Sequence, residues 1–463
     1  MDVETNIFAH QIEAVEQGIS ERLTGQVAGT SGLTVEVGDF SAPIGALCTV
    51  RNRSGRDISA QVVGFRANQT LLMPLGETAG VSRGDTVVCE SSRQTVGVGT
   101  GMLGRVIDGL GGPIDGREPF HVEQYYPLMR QAPAALSRRR IDQWLGTGIR
   151  AIDAMATVGT GQRLGIFAGT GVGKSILMGM ISRYTSADVI VVALVGERGR
   201  EVGDFLARDL GPEGLERSVV VVSTSDESPV LRIRACLLAT AVAEFFRDQG
   251  NDVLLLMDSL TRLAMAQRQI GLAAGEPPTT KGYTPSVFAM LPQLLERSGR
   301  TAAGSITGFY TVLVEGDDIT EPIADATRGV LDGHVWLSRE LANRAHYPAI
   351  SVLDSISRVM PDVVDAEHMA AAQTVKRVLA TWQEIEDLVN IGAYAVGTNP
   401  VFDLAVYGKP LIDEFLQQAI REGTNMAQAR AGLLTLAEDL EHRSGQLQEE
   451  SKMRQPAGMG QAR

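Results

Sequence analysis

One stretch restricts the fold of this chain more than any other. In Phe167-Ala168-Gly169-Thr170-Gly171-Val172-Gly173-Lys174-Ser175 an apolar run enters a glycine-rich turn and then the helical segment Ile176 to Tyr184. Glycines let the backbone bend round a phosphate chain and aim successive N–H groups at it, and the helix N-terminus adds its positive dipole end. Lys174 then reaches the β and γ phosphates of a nucleotide, and the Ser175 hydroxyl ligates Mg²⁺. The first position of the general G-x-x-x-x-G-K-S/T pattern holds Ala168, but Gly169, Gly171 and Gly173 keep the turn glycines in place.

The surrounding sequence gives this turn a parallel α/β sheet to sit on. Near-continuous apolar runs at Gln162 to Phe167, Val189 to Val195, Ser218 to Ser223, Asp252 to Met257, Ser305 to Val314 and His334 to Leu337 read as strands buried on both faces, with helical segments between them. The fourth run leads directly into Asp258, at the sheet edge that carries the phosphate loop, where a carboxylate serves the metal. Val195-Gly196-Glu197-Arg198-Gly199-Arg200-Glu201 puts Glu197 at the end of another strand, suited to polarising a water against the γ phosphate.

A chain of 463 residues exceeds one domain and divides into roughly two to four. Residues 1–23 carry Phe8, Ile12, Val15 and Ile19 at helical spacing, an amphipathic segment that either docks a partner or packs on its own domain. Residues 24–96 hold short β-rich runs, Thr34 to Val37, Leu47 to Val50, Ser59 to Phe65 and Thr86 to Cys89, whose spacing suggests a small barrel or sandwich. Residues 97–361 contain a Gly/Pro-punctuated connector, with Arg138-Arg139-Arg140 as a solvated run or a binding patch, and then the α/β core. Residues 362–463 read as helices, Ala366 to Asn390, Leu404 to Gly423 and Ala427 to about Gln448, with a frayed tail from Met453.

Composition narrows the function classes. A formal net charge of −13 opposes nonspecific coating of nucleic acid, which needs a surplus of Lys and Arg. The three cysteines, Cys48, Cys89 and Cys236, are odd in number and unpatterned, so neither a disulfide framework nor a zinc site follows and a reducing, cytoplasmic setting is expected. The start lacks a signal-peptide pattern, and the longest apolar stretch, Val189 to Val195, is far short of a membrane span.

Taken together, the phosphate loop, Gly196-Glu197-Arg198-Gly199-Arg200-Glu201-Val202, Met257-Asp258-Ser259-Leu260-Thr261-Arg262, Gly282-Tyr283-Thr284-Pro285, Leu331-Asp332-Gly333-His334, His346-Tyr347-Pro348 and Ser355-Ile356-Ser357-Arg358 resemble the flagellar and type III protein-export ATPases, kin to the catalytic subunit of rotary ATP synthases. The resemblance runs through nearly the whole chain. It implies an N-terminal β-barrel, a central RecA-like P-loop α/β domain and a C-terminal helical domain, assembled as a homohexamer with nucleotide between subunits. The implied ATP contacts are Gly169, Thr170, Gly171, Val172, Gly173, Lys174, Ser175, Ile176 and the adenine-stacking Tyr347, with Mg²⁺ at Ser175 and Asp258. Glu197 would orient water, Arg198 and Arg262 would lie near the γ phosphate, and Arg358 would be an arginine finger for the neighbouring subunit.

The same resemblance implies a stator-like regulator at the N-terminal segment, a central stalk protein, export chaperones and substrates, and a membrane export gate, with the ring peripheral at the inner membrane. The region after Gln418 lacks the phenylalanines that close the adenine pocket in rotary subunits. The short C-terminal region favours the export branch, and Gly282 to Pro285 favours its flagellar over its virulence members. Two other classes compete: a non-catalytic ring subunit, opposed by Glu197, and a hexameric RNA translocase, opposed by an N-terminal domain with only Phe40 and Phe65 as aromatics.

Overall fold

The computed structural model describes residues 23–454 apart from Arg53, Ser54, Thr78, Arg93, Glu315, Asp317 and Ile319. The expected amphipathic segment therefore lies outside the described residues except for Leu23, and so does the tail beyond Arg454.

Alternating apolar residues close the N-terminal region into a barrel. Strands β1 (Thr24–Ser31), β2 (Thr34–Gly38), β3 (Leu47–Arg51), β4 (Asp57–Arg66), β5 (Gln69–Pro74) and β6 (Thr86–Ser91) run in the spatial order β1-β2-β5-β4-β3-β6, with β6 returning to β1. Closure leaves no unpaired edge, and Val37, Val50, Ala60, Val62 and Val87 fill the interior. Strands β1 and β5 go beyond the sequence expectation: β1 is rich in Gly, Thr and Ser, and it becomes a strand through pairing with β2 and β6.

The six apolar runs all form strands of one nine-stranded sheet. Its path uses β7 (Arg105–Asp108), β8 (Arg163–Ala168), β9 (Val189–Glu197), β10 (Ser218–Thr224), β11 (Asp252–Asp258), β12 (Ser305–Leu313), β13 (Gly333–Leu337) and β14 (Ile350–Ser357), ordered β14-β13-β8-β12-β11-β9-β10-β7. Every pairing along this path is parallel except β13 with β14. The two outermost strands were not foreseen. The first is short and bounded by the charged Arg105 and Asp108, and the second has exposed residues at Leu353, Asp354 and Ile356, so neither reads as a continuous apolar run.

Helices α1 (Lys174–Tyr184), α2 (Pro229–Asp248), α3 (Leu260–Ala274) and α4 (Pro285–Leu295) cover the sheet, and α5 (Ala366–Asn390), α6 (Pro400–Leu416) and α7 (Met426–Arg454) form the C-terminal layer. Two corrections to the helical boundaries have local causes. Helix α6 starts four residues before Leu404, because Asn399 caps it by accepting from Val401 N at 2.9 Å and Pro400 opens the first turn, and it stops at Leu416. Helix α7 extends beyond Gln448 to Arg454.

The C-terminal layer shares its core with α1. Leu177, Met178 and Ile181 lie in the same apolar cluster as Val375, Val378, Ile412 and Leu440. The barrel has its own core and meets the α/β unit through a small cluster of Met73, Leu75 and Val230, with Ile270 and Ala273 packed against it. The Arg138-Arg139-Arg140 run is tied down: Arg138 donates to Ser298 O at 2.9 Å and pairs with Glu296, and Arg140 pairs with Asp362.

Candidate active site

The sheet direction decides what meets at its edge. Strands β8, β12, β11 and β9 are adjacent and parallel, so Ala168, Asp258 and Glu197 all finish at the same edge. Beyond Ala168 the chain turns through Gly171 (φ +80°) and Gly173 (φ +96°), left-handed conformations that favour glycine, and Lys174 opens α1. The helix thus begins two residues before Ile176, which places Lys174 and Ser175 in its first turn.

Lys174 Nζ lies 2.5 Å from Asp258 Oδ1 and 3.6 Å from Glu197 Oε1. Thr311, on the strand between β8 and β11, donates its hydroxyl to Asp258 Oδ1 at 2.7 Å. Thr311 was missed in the sequence, where it is one polar residue inside an apolar run. Burial pushes the Glu197 carboxyl up to about 7, and the charge of Asp258 adds to the rise, against the opposing pull of Lys174 and Arg262. Burial alone would lower the Lys174 ammonium, but the two carboxylates reverse this and its net shift is upward.

Among the remaining expected residues, Thr170, Gly171, Ser175 and Ile176 are exposed along the loop and first turn, whereas Gly169 and Val172 are buried beneath it. Tyr347 lies beside the loop: a Cβ on Gly173 would sit 3.7 Å from its ring. Its carbonyl accepts from Gln418 N at 3.0 Å, so the segment after α6 is tied by its backbone to Tyr347, while the Gln418 amide turns to Gly148 O and Arg150 N, both at 2.8 Å. Arg339, also absent from the sequence reading, donates to Thr170 O at 3.2 Å. Arg262 packs over Gly196, next to Glu197, and its Nε is buried without a hydrogen-bond partner.

Two expected residues are not brought to this cluster. Arg198 caps the short helix Gly199–Asp204 with its side chain 78% exposed, 4.0 Å from Glu201. Arg358 follows the last residue of β14 and is exposed, and its N–H donates to Asp332 O beside Arg163, the first residue of β8. The phosphate loop follows the last residue of β8, five strand steps or roughly 16 Å away. Arg358 thus occupies the opposite edge of its own sheet.

The donor set fits a nucleotide with a divalent cation. Glu197 Oε1 is buried without a hydrogen-bond partner, the Ser175 hydroxyl is open, and backbone N–H groups line the loop. No group of three His, Cys, Asp or Glu side chains suited to a metal occurs among the described residues. A cation here would draw most ligands from phosphate and water, as Mg²⁺ commonly does.

Comparisons with known proteins match the chain domain by domain. Residues 148–357 match the ATP synthase alpha/beta family nucleotide-binding domain, 27–90 that family's beta-barrel domain, and 364–435 the T3SS EscN ATPase C-terminal domain. The flagellum-specific ATP synthase of Pseudomonas aeruginosa is 49% identical over 445 residues, covering 94% of this chain and 99% of that protein. The type 3 secretion system ATPase of Xanthomonas euvesicatoria is 50% identical over 398 residues, covering 86% and 90%. The assembled ATPase EscN from the type III secretion system of enteropathogenic E. coli superimposes with a TM-score of 0.85 at 42% identity, over 89% of this chain and all of that one. EscN in complex with its central stalk EscO gives a TM-score of 0.82 over the same shares. With its barrel, its phosphate-loop sheet and its helical C-terminal layer all matched in order, the chain belongs to the flagellar and type III secretion ATPase family and is an ATPase.

Proposed function

We propose that this ATPase works as a Mg²⁺-dependent homohexamer that drives protein export through a flagellar apparatus, releasing chaperones and unfolding substrates. The observation that carries the reading is the split of charged groups between the two edges of one sheet. Lys174, Glu197 and Asp258 converge at one edge, and the exposed Arg358 stands at the other. A subunit so built completes its site with a neighbour's arginine.

In this reading the N–H groups of Gly169 to Ser175, with Val172 and Ile176 supporting the turn, hold the phosphates, and Tyr347 stacks on the adenine. Lys174 neutralises charge on the β and γ phosphates. Ser175 and Asp258 would hold Mg²⁺, which would supply positive charge to offset that of the phosphates. Glu197 orients the attacking water and takes its proton. Arg262 and Arg198 serve as basic groups near the γ phosphate, and Arg358 of the neighbouring subunit stabilises the transferring phosphoryl group.

The partners proposed are a central stalk, supported by the EscN–EscO complex, together with a stator-like regulator at residues 1–23, export chaperones and substrates, and the export gate. The proposed location is the cytoplasmic face of the inner membrane, held peripherally; no helix among the described residues is long and apolar enough to cross a membrane. Nucleic acid has no role. The Xanthomonas relative keeps a virulence injectisome as the second reading.

Mixing two inactive variants tests the shared site. Lys174→Ala and Arg358→Ala, each inactive alone, should regain hydrolysis when co-assembled, because some interfaces then pair an intact loop with an intact finger. Persistent inactivity in mixed rings of confirmed composition would exclude a finger supplied in trans.

A further inference from the structure

A cavity of about 730 Å³ lies between the barrel and the α/β unit, and no residue of the phosphate loop lines it. Its walls come from β4, the connector near Met129, and α2, α3 and α4. That volume is within the range of small-molecule sites. The lining is mainly apolar, with Val62, Ile233, Leu237, Ile270 and Met290 among it, and glutamine amides interrupt it.

Three arginines line this cavity, and two of them are matched by carboxylates. Arg297 makes a double hydrogen bond to Glu244, and Arg130 pairs with Asp248 at 2.8 Å. Arg234 is different. It is 4% exposed, its Nε is buried without a hydrogen-bond partner, and its one side-chain hydrogen bond among the described residues runs from Nη1 to the Gln61 amide oxygen at a long 3.3 Å. No carboxylate among the described residues comes within ion-pair distance of it. Burial lowers its pKa, with only the more distant charge of Asp108 opposing.

A guanidinium held in a mostly apolar wall with an unpartnered Nε and no carboxylate beside it is costly, and an anion with acceptors in one plane answers it best. We infer that this cavity is a binding site for an amphipathic organic carboxylate, whose head pairs with Arg234 beside Gln61 while its apolar body lies along α2, α3 and α4. The ligand would span the junction of barrel and α/β unit. It would also touch α3, the helix whose first turn carries Arg262.

Decanoate is a suitable probe, with decanol as its uncharged counterpart, each titrated calorimetrically into the full chain below its micellar or solubility limit. Decanoate should bind saturably at one site per chain. Decanol, which cannot make the charge-assisted contact, should bind about tenfold more weakly or worse. Arg234→Gln should weaken decanoate by a similar factor, and Ala289→Trp, which fills the cavity from an exposed position, should abolish binding without touching the arginine. No saturable decanoate binding, equal affinity for decanol, or binding unchanged by Ala289→Trp would each overturn the inference; the last two hold even if Arg234→Gln fails to fold.

Discussion

At the scale of single residues, the chemistry rests on one buried ammonium between two carboxylates. Lys174 sits 2.5 Å from Asp258 and 3.6 Å from Glu197, so both carboxylates favour its charged form, and the charge of Asp258 disfavours that of Glu197. Lys174→Ala should abolish ATP turnover and weaken nucleotide binding, measurable by a fluorescent nucleotide titration. Glu197→Gln should keep nucleotide binding and slow hydrolysis roughly 10²-fold or more; a wild-type rate would remove Glu197 from its role. The pH response follows from the same residue. Its carboxyl titrates near 7 because burial disfavours the charged form, and a carboxylate that orients water works only when ionised. kcat/KM should therefore fall as pH drops below about 7, and Glu197→Gln should lose this acid limb. A wild-type profile that stays flat from about pH 6 to 8 would contradict the assignment.

At the scale of elements, strand order and helix starts do the positioning. Much of this was readable in the sequence, because strands buried on both faces are written as continuous apolar runs and Gly171 and Gly173 mark the turn after β8. Less readable was whatever depends on a neighbour. Strands β7 and β14 hold Arg105, Asp108, Asp354 and Ser355 at the sheet edges, and only pairing across the fold makes them strands. The same limit applied to the site. Glu197, Asp258 and Lys174 announce themselves at element ends, but Thr311 and Arg339 gain meaning only through contacts with Asp258 and Thr170. Asp153 is a further case. Fully buried on the short helix Arg150–Met155, it accepts from Thr147 N at 2.9 Å, the Thr147 hydroxyl at 2.7 Å and Gly148 N at 3.1 Å. Asp153→Ala leaves these donors buried and should destabilise the chain by about 1–3 kcal/mol. Asp153→Asn keeps an acceptor oxygen and should fall between Ala and wild type in thermal denaturation.

At the scale of the whole molecule, two cores of different extent govern what moves together. The apolar cluster around α1 continues into α5, α6 and α7, so a shift of the phosphate-loop helix is felt directly in the C-terminal layer. The barrel meets the α/β unit across a much smaller apolar contact. Arg358 extends the connection outward: its N–H is held by Asp332, and Asp332 is doubly bonded to Arg163 at the start of the strand that ends in the phosphate loop. One strand thus joins a subunit's own site to Arg358, the arginine proposed to serve a neighbour. Arg358→Ala should leave nucleotide affinity intact in isolated subunits and remove the activity gained on assembly. The central claim, that assembly and hydrolysis are one event, is tested most directly by specific ATPase activity measured against protein concentration with Mg²⁺ present, alongside mass by light scattering. The account predicts a steep rise in activity that tracks the transition from single chains to hexamers. Constant activity per chain across that transition, or full activity at the mass of one chain, would contradict it.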